Sequence, residues 1–245
     1  MDRHHIFALG GAALLLGLWE LLCRHWAVPD FILPPPSQVA VAALVRAPLL
    51  LPHAAVTALE IGCGVMLALA VAVPLAVAMF AQPALEKTLA PFLVASQAVP
   101  VFALAPLLVV WLGYGLASKV IMAAVIIFFP ITVSLLEGLK GCDAEYRVLF
   151  RLMGAGFWKS LRLLYWPWAL PSFFAGLKVG VTVATIGAVI GEWVGAQQGL
   201  GYLMIQANAR LRVDLVFAAI LYLSIMGLGL WSLVGILEKR IIRWK

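Results

Sequence analysis

A basic and aromatic segment, residues 145–171, contains the side chains of this sequence that are best suited to chemistry. It reads EYRVLFRLMGAGFWKSLRLLYWPWALP and lies between two long apolar stretches. Arg151, Lys159 and Arg162 can form charge-assisted hydrogen bonds with carboxylates or phosphates. The segment is therefore suited to ionic recognition of an acidic protein surface or of anionic lipid.

Two short helices joined by a glycine turn are predicted in this segment. Residues 145–153 have helical spacing, and residues 154–156, Gly-Ala-Gly, break it because glycine tolerates turn geometry. A second helix is predicted over residues 157–165. Pro167 is expected to stop that helix, and Pro171 to open the next one as a first-turn proline.

The second helix is amphipathic, and its two faces allow three interpretations. Phe157, Leu161 and Leu164 fall on one side, whereas Lys159 and Arg162 fall on another. The segment is an amphipathic linker at the lipid headgroups, a solvated loop, or an element that docks a partner protein.

No residue pattern indicates a catalytic, metal or cofactor site. The histidines stand at positions 4, 5, 25 and 53 and the cysteines at 23, 63 and 142, without the spacing of metal ligands or of a disulfide framework. The sequence also has no Gly-x-x-x-x-Gly-Lys-Ser/Thr phosphate loop. We therefore expect no catalytic residues and no metal site in this chain.

The composition predicts an all-α integral membrane protein. Hydrophobic residues make up 64% of the 245 residues and charged residues 11%, whereas soluble domains carry about 25% charged residues. A net charge of +6 then follows from basic cytoplasmic loops rather than from nucleic-acid binding. No nucleic-acid partner is expected.

About six membrane spans are predicted, since each helical crossing needs about 20 apolar residues. They cover residues 6–26, 54–81, 88–112, 117–137, 173–196 and 214–237. The first is interpreted as a retained span, because no small-residue cleavage site follows it. The whole chain, 1–245, is predicted to be a single transmembrane domain with a core over about 54–238 and a cytoplasmic loop over 138–172.

The positive charges predict the orientation. Alternate connections carry most of them: Arg3, Lys87, Lys140, Arg147, Arg151, Lys159, Arg162, Lys239, Arg240, Arg243 and Lys245. The other set consists of Arg24, Arg46, Lys119, Arg210 and Arg212. The positive-inside rule therefore places both termini and the 138–172 loop in the cytoplasm. On the outer side, three prolines are expected to lead into a short interfacial helix over 38–48, capped by Ser37.

Several polar or helix-breaking residues within the apolar spans are candidates for a translocation pathway. Pro100 is expected to kink the third span near Gln97, either to line the pathway or only to pack against a neighbouring helix. Thr182 and Thr185 either bond to their own helix or face the pathway. Glu192 is a candidate for a pathway or gating role, paired with Arg210 or Arg212.

Glycines recur along the fifth span at positions 176, 180, 187, 191, 195 and 199. A stripe of small residues lets two helices approach closely. The stripe is therefore predicted to pack against another helix, within the subunit or across a dimer, with a pore-lining face as the alternative.

The 145–171 segment resembles the cytoplasmic signature loop of binding-protein-dependent ABC importer permeases. That signature reads Glu-Ala-Ala, three residues, Gly, nine residues, then Ile-x-Leu-Pro, which places Gly154 and Pro167 at its fixed positions. Val148-Leu149-Phe150 stands in place of Glu-Ala-Ala, with Glu145 one turn earlier. The stretches LPPPSQV, PVFALAPLLVVWLGYG, GLGYLM and LEKRIIRW are similar to the branch that imports nitrate, taurine, aliphatic sulfonates and thiamine-precursor pyrimidines.

This resemblance implies a type I importer permease in the bacterial cytoplasmic membrane. The implied partners are a second permease copy, an ABC ATPase dimer that binds ATP and magnesium, and a periplasmic or lipid-anchored solute-binding protein. The resemblance makes the loop a coupling helix that contacts the ATPase, with a set of implied coupling residues: Glu145, Arg151, Gly154, Ala155, Phe157, Lys159, Arg162, Leu164 and Pro167.

The resemblance also bears on the substrate and on the mode of transport. The stretch from Gly191 to Ala219 is more similar to permeases for thiamine-precursor pyrimidines than to those for sulfonate, taurine or nitrate. The chain itself is expected to be a transport subunit rather than an enzyme. The alternative of another class is a channel or secondary transporter that works without ATP.

Overall fold

The computed structural model describes residues 3–244, with side chains described from residue 10 onward. All regular structure in this range is helical, so the predicted all-α class is confirmed. In chain order the helices are α1 (Arg3–His25), α2 (Pro36–Val45), α3 (Ala47–Ala81), α4 (Pro83–Ala98), α5 (Val101–Leu112), α6 (Leu116–Lys140), α7 (Ala144–Leu152), α8 (Phe157–Ser160), a π-helical turn (Leu161–Tyr165), α9 (Trp166–Gly195), α10 (Leu200–Ala209) and α11 (Val213–Ile241).

The chain divides into two compact units. The first comprises residues 1–56 and 197–225, and the second comprises residues 57–196 and 226–245. The second unit contains the paired helices α6 and α9 and the loop that joins them. The predicted single transmembrane domain over 1–245 stays a prediction.

Four helical segments in the described part of the chain are long and apolar enough to cross a bilayer. They are Ala47–Ala81, Leu116–Lys140, Phe157–Gly195 and Val213–Ile241. A fifth crossing results if α4 and α5 are taken together. The first predicted span, 6–26, falls on α1, and its beginning lies outside the residues whose side chains are described.

The third predicted span, 88–112, is not one continuous helix. It is broken into α4 and α5, which meet at an angle of 97°. Val99, between them, has extended dihedral angles, φ −75° and ψ 122°. The residue before a proline disfavours the helical region, and Pro100 has no N–H to donate. The expected kink at Pro100 is therefore a complete break.

The short helix α2 begins without the cap that we predicted. It starts at Pro36, and Ser37 lies inside its first turn instead of capping it. The Ser37 N–H and hydroxyl donate to the Glu20 carboxylate at 3.0 and 2.8 Å. The predicted capping role of Ser37 is therefore wrong, because the helix already begins at Pro36 and the Glu20 carboxylate accepts the Ser37 N–H in its first turn.

The glycine stripe of α9 packs against α6. A Cβ atom built on Gly176 would lie 2.5 Å from the Pro130 carbonyl oxygen, and one on Gly187 would lie 2.9 Å from the Ala123 Cα. Around this contact, Ile127 and Ile131 of α6 are fully buried. The prediction that the stripe mediates helix packing is confirmed, with the contact lying within the subunit.

An ion pair joins α9 to the last part of α11. The Lys178 ammonium contacts the Glu238 carboxylate, and it also lies 5.5 Å from the centroid of the Trp231 ring. Both charged side chains are largely withdrawn from the surface. A partly buried charge that loses its partner destabilises a fold, because its desolvation is no longer offset.

Reversing one charge of this pair is expected to lower thermal stability. Lys178→Glu places two carboxylates together and should cost about 1–3 kcal/mol, as for a buried polar group left without its partner. The double variant Lys178→Glu/Glu238→Lys should recover most of that loss. Thermal unfolding in detergent measures both, with the exposed Lys239→Glu as the control; a double variant no better than the single one would contradict the pairing.

Candidate functional site

The first helix of the loop is stopped by a Schellman motif, a hydrogen-bonded helix end with one residue in the left-handed region. Helix α7 ends at Leu152, one residue before the end of the helix predicted over 145–153. The N–H of Ala155 donates to the Phe150 carbonyl and the N–H of Gly154 to the Arg151 carbonyl, both at 3.0 Å. Gly154 has φ +68°, where a residue with a Cβ is disfavoured. The predicted turn is confirmed, and Gly154 is the residue that makes it.

The second helix of the loop does not stop at Pro167. A π-helical turn, Leu161–Tyr165, connects α8 directly to α9, and the helical segment runs without a gap from Phe157 to Gly195. The wider turn makes room for the Pro167 ring, which would clash with the preceding turn of a regular helix. Pro171 likewise lies inside the helix. The predicted helix stop at Pro167 and helix start at Pro171 are both wrong.

The charged residues that we predicted in this loop are all exposed. Glu145 lies in the first turn of α7 and Arg151 in its last turn, and Lys159 and Arg162 lie on the following helical turns. All four side chains face away from the packed core. They are therefore free to meet another molecule.

The predicted apolar residues of the loop divide into two groups. Leu164 is buried, as is Leu161, which belongs to the same core as Leu139. Phe157 packs its ring against Phe80 of α3 at a centroid distance of 6.3 Å. Leu164 and the Phe157–Phe80 contact hold the loop against the membrane helices, and the Phe157 side chain remains 39% exposed.

Other apolar residues form the exposed tip of the loop, and the sequence interpretation missed them. Leu152 and Met153 immediately precede the glycine turn and are 81% and 72% exposed, and Trp158 is 75% exposed. Large apolar side chains clustered on a surface are typical of a binding site. Their position next to the Gly154 turn was the available signal. We define the coupling tip as Arg151, Leu152, Met153, Trp158 and Lys159.

The pathway candidates lie at different kinds of positions. Gln97 is exposed in the last turn of α4, directly before the break at Pro100. The hydroxyls of Thr182 and Thr185 donate to the carbonyls of Lys178 and Thr182, at 2.8 and 3.1 Å. Both hydroxyls therefore bond to their own helix, and a role of the two threonines in the pathway stays a prediction.

Glu192 is buried in a group of polar residues that the sequence interpretation did not bring together. It accepts a hydrogen bond of 2.6 Å from the Thr57 hydroxyl, and Glu60 and Lys119 are buried near it. We define the polar cluster as Thr57, Glu60, Lys119 and Glu192. Arg212, a predicted partner of Glu192, forms a two-pronged ion pair with Asp214 at 2.9 and 3.0 Å.

Lys119 was predicted to lie among the outer connections, but its side chain is buried. Its ammonium donates to the carbonyls of Tyr114, Gly115 and Gly195, at 2.6, 3.0 and 3.0 Å. It therefore holds the end of α9 against the start of α6. Lys119 lies in the first turn of α6, and the side of the membrane that it faces stays a prediction.

Comparison with known proteins identifies the family. The pattern of the family described as "Binding-protein-dependent transport system inner membrane component" matches residues 44–243. The chain belongs to this family. It is a permease of an ABC importer and a multi-pass protein of the inner membrane. Members of this family work with an ATPase and with a solute-binding protein.

Three relatives extend over much of this permease. A probable ABC transporter permease protein of Haemophilus influenzae is 42% identical over 94% of each chain. The formylaminopyrimidine transport permease protein ThiX of Halalkalibacterium halodurans is 36% identical over 95% of this chain and 93% of its own. The riboflavin transport system permease protein RibX of Chloroflexus aurantiacus is 42% identical over 66% of this chain and 60% of its own.

Proposed function

We propose that this permease imports a thiamine-precursor pyrimidine with energy from ATP hydrolysis on a separate chain. The observation that carries the substrate assignment is the similarity to the formylaminopyrimidine permease, which extends over nearly all of both chains. Riboflavin is the second candidate, favoured by a higher identity over a shorter region. Both are nitrogen heterocycles, and they rank above the sulfonate, taurine and nitrate alternatives.

The coupling tip is proposed to dock in a groove of the ATPase. Leu152, Met153 and Trp158 provide apolar surface, and Arg151 and Lys159 provide charges that pair with acidic groups at the groove rim. Docked helices commonly bury an apolar face in a groove and leave the charges at its edge. Glu145 and Arg162 lie farther from the turn and would contact the margins of the same groove.

The continuous helix supports a direct mechanical route from the loop into the membrane. Residues 157–195 form a helical segment of 39 residues that begins beside the coupling tip. Its glycine stripe is seated against α6 through close backbone approaches. A displacement of the tip by the ATPase would therefore move α9 and α6 together rather than being lost at a flexible joint.

The remaining features of the proposal follow from the family. Both termini and the 138–172 loop face the cytoplasm, and two copies of the permease enclose the pathway. ATP and magnesium are bound by the ATPase, so this chain is a transport subunit and not an enzyme. The break at Pro100, with Gln97 beside it, is proposed to line the pathway together with Thr182 and Thr185. Glu192, which is buried, is proposed to act on gating rather than to touch the solute.

Reconstitution tests this function. Proteoliposomes that contain the permease, its ATPase and its solute-binding protein are expected to accumulate formylaminopyrimidine only when ATP reaches the ATPase. The control replaces the phosphate-loop lysine of the ATPase, and this replacement should abolish uptake. Uptake by the permease alone would establish the alternative of a channel or secondary transporter.

A second measurement separates the substrate from the mechanism. Titration of the solute-binding protein with formylaminopyrimidine, riboflavin and taurine ranks the three candidates directly. ATP-dependent uptake of riboflavin alone would overturn the substrate assignment and leave the importer mechanism intact.

A further inference from the structure

The polar cluster brings together three ionisable side chains that are buried among apolar helices. Thr57 and Glu60 belong to α3, Lys119 to α6 and Glu192 to α9. All four side chains are at most 3% exposed. Ionisable groups inside a membrane are costly and are retained where they serve a function.

The carboxyl groups of Glu60 and Glu192 lie beside each other, because Thr57, one helical turn before Glu60 on α3, donates to Glu192 at 2.6 Å. The two side chains interact electrostatically, and Glu60 Oε2 is buried without a hydrogen-bond partner among the described residues. An ionised carboxylate only accepts hydrogen bonds. Two carboxyl groups can therefore bond to each other only if one of them carries a proton.

Lys119 is in its charged form. Its nitrogen lies within 3.0 Å of three backbone carbonyl oxygens. A neutral amine has two hydrogens to donate, whereas an ammonium has three. Three acceptors around one nitrogen therefore require the ammonium.

The charges of the cluster balance with one proton. If Glu60 and Glu192 were both ionised, the cluster would carry a net charge of −1 beside the Lys119 ammonium. One proton on the carboxyl pair makes the cluster neutral. A net charge buried in a medium of low dielectric constant is strongly unfavourable, so the neutral arrangement is preferred.

The hydrogen bonds indicate where the proton lies. Glu192 accepts the Thr57 hydroxyl hydrogen at 2.6 Å, and this bond stabilises the ionised form of Glu192. At Glu60, the buried Oε2 has no hydrogen-bond donor among the described residues. We propose that the Glu60–Glu192 pair is a proton-binding site within the membrane, which holds one proton on Glu60 and shares it with ionised Glu192.

The charged and titratable groups near this pair belong to several elements. Lys119 faces it from α6, and α5 carries no titratable side chain. On α3 the nearest other titratable residue is His53, one helical turn before Thr57, and its Nδ1 accepts the Gly199 N–H at 3.0 Å. His53 is therefore the group to be controlled in any measurement of protonation.

Infrared spectroscopy of the full permease, assembled with its ATPase in nanodiscs, tests the proposal. We expect the wild type to show one buried protonated carboxyl band at neutral pH, shifted in heavy water. Glu60→Gln should abolish it. Glu192→Gln should abolish it too, because a single remaining carboxylate then balances Lys119. His53→Gln should keep the band.

Two further variants keep the test decisive if one substitution disturbs folding. The double variant Glu60→Gln/Glu192→Gln leaves Lys119 without a counter-charge. The thermal unfolding midpoint of this double variant should therefore fall far below that of either single variant. Lys119→Met should add a second protonated carboxyl band. If the wild type shows no band that Glu60→Gln removes, both acids are ionised. If it shows a doubled band that each single variant halves, both acids are protonated. Either result overturns the shared proton.

Discussion

Gly154→Val is expected to reduce ATP-driven uptake at least about tenfold, because valine cannot hold the conformation that ends α7. Gly154 has φ +68°, and a β-branched residue in this region is an outlier that costs on the order of 1–3 kcal/mol. The variant would relieve the strain by opening the two hydrogen bonds to Phe150 and Arg151. Leu152 and Met153 would then leave the orientation in which they can dock.

Gly156→Val is the matched control for this prediction. Gly156 lies two residues further on, with φ −68° and ψ 168°, which valine adopts readily. No atom lies within 4 Å of the position that a Cβ would occupy at either glycine. The two variants therefore differ in backbone strain and not in crowding.

Co-purification of a tagged ATPase and uptake into proteoliposomes measure the outcome. Gly154→Val should lose both, while Gly156→Val should retain most of both. Equal losses in the two variants would mean that any bulk at the loop surface interferes, and the left-handed turn would then have no special part in coupling. Equal retention would remove the loop from the coupling path.

The loop shows how far the sequence could predict local structure. The glycine turn and the helix before it follow from short-range rules, and both are found at Gly154 and in α7. The predicted stop at Pro167 failed because it assumed a regular helix. The π-helical turn Leu161–Tyr165 is wider than a turn of a regular helix and leaves room for the Pro167 ring. Packing holds this turn in place, since Tyr165 packs edge-on against Phe80 at a centroid distance of 4.8 Å. No local rule reveals such a long-range contact.

The membrane helices show the same division. The glycine stripe of α9 is periodic, so its packing role could be predicted from the sequence. The polar cluster could not, because Glu60, Lys119 and Glu192 stand more than fifty residues apart along the chain. Only the packing of α3, α6 and α9 brings them together, and Lys119 in isolation resembles a loop charge.

Gly176→Ala is expected to produce the largest loss of stability of any single-methyl addition on α9. The new Cβ would lie 2.5 Å from the Pro130 carbonyl oxygen and 2.6 Å from the Ser134 Cβ. The carbonyl oxygen is part of the α6 backbone and the Ser134 Cβ is bonded directly to it, so neither atom can rotate away. The two helices would have to separate, and overpacking of this kind costs about 1–3 kcal/mol.

A graded series makes this prediction specific to the α6–α9 contact. Gly191→Ala places its Cβ 3.2 Å from Lys119 atoms and should cost less than Gly176→Ala, while Gly62→Ala on α3 meets no atom within 4 Å and should cost least. Thermal unfolding midpoints of the detergent-purified permease give the order directly. If Gly62→Ala were as damaging as Gly176→Ala, helix propensity or insertion rather than close packing would govern the effect, and the rigid α6–α9 pair would no longer explain how a push on the coupling tip reaches the membrane.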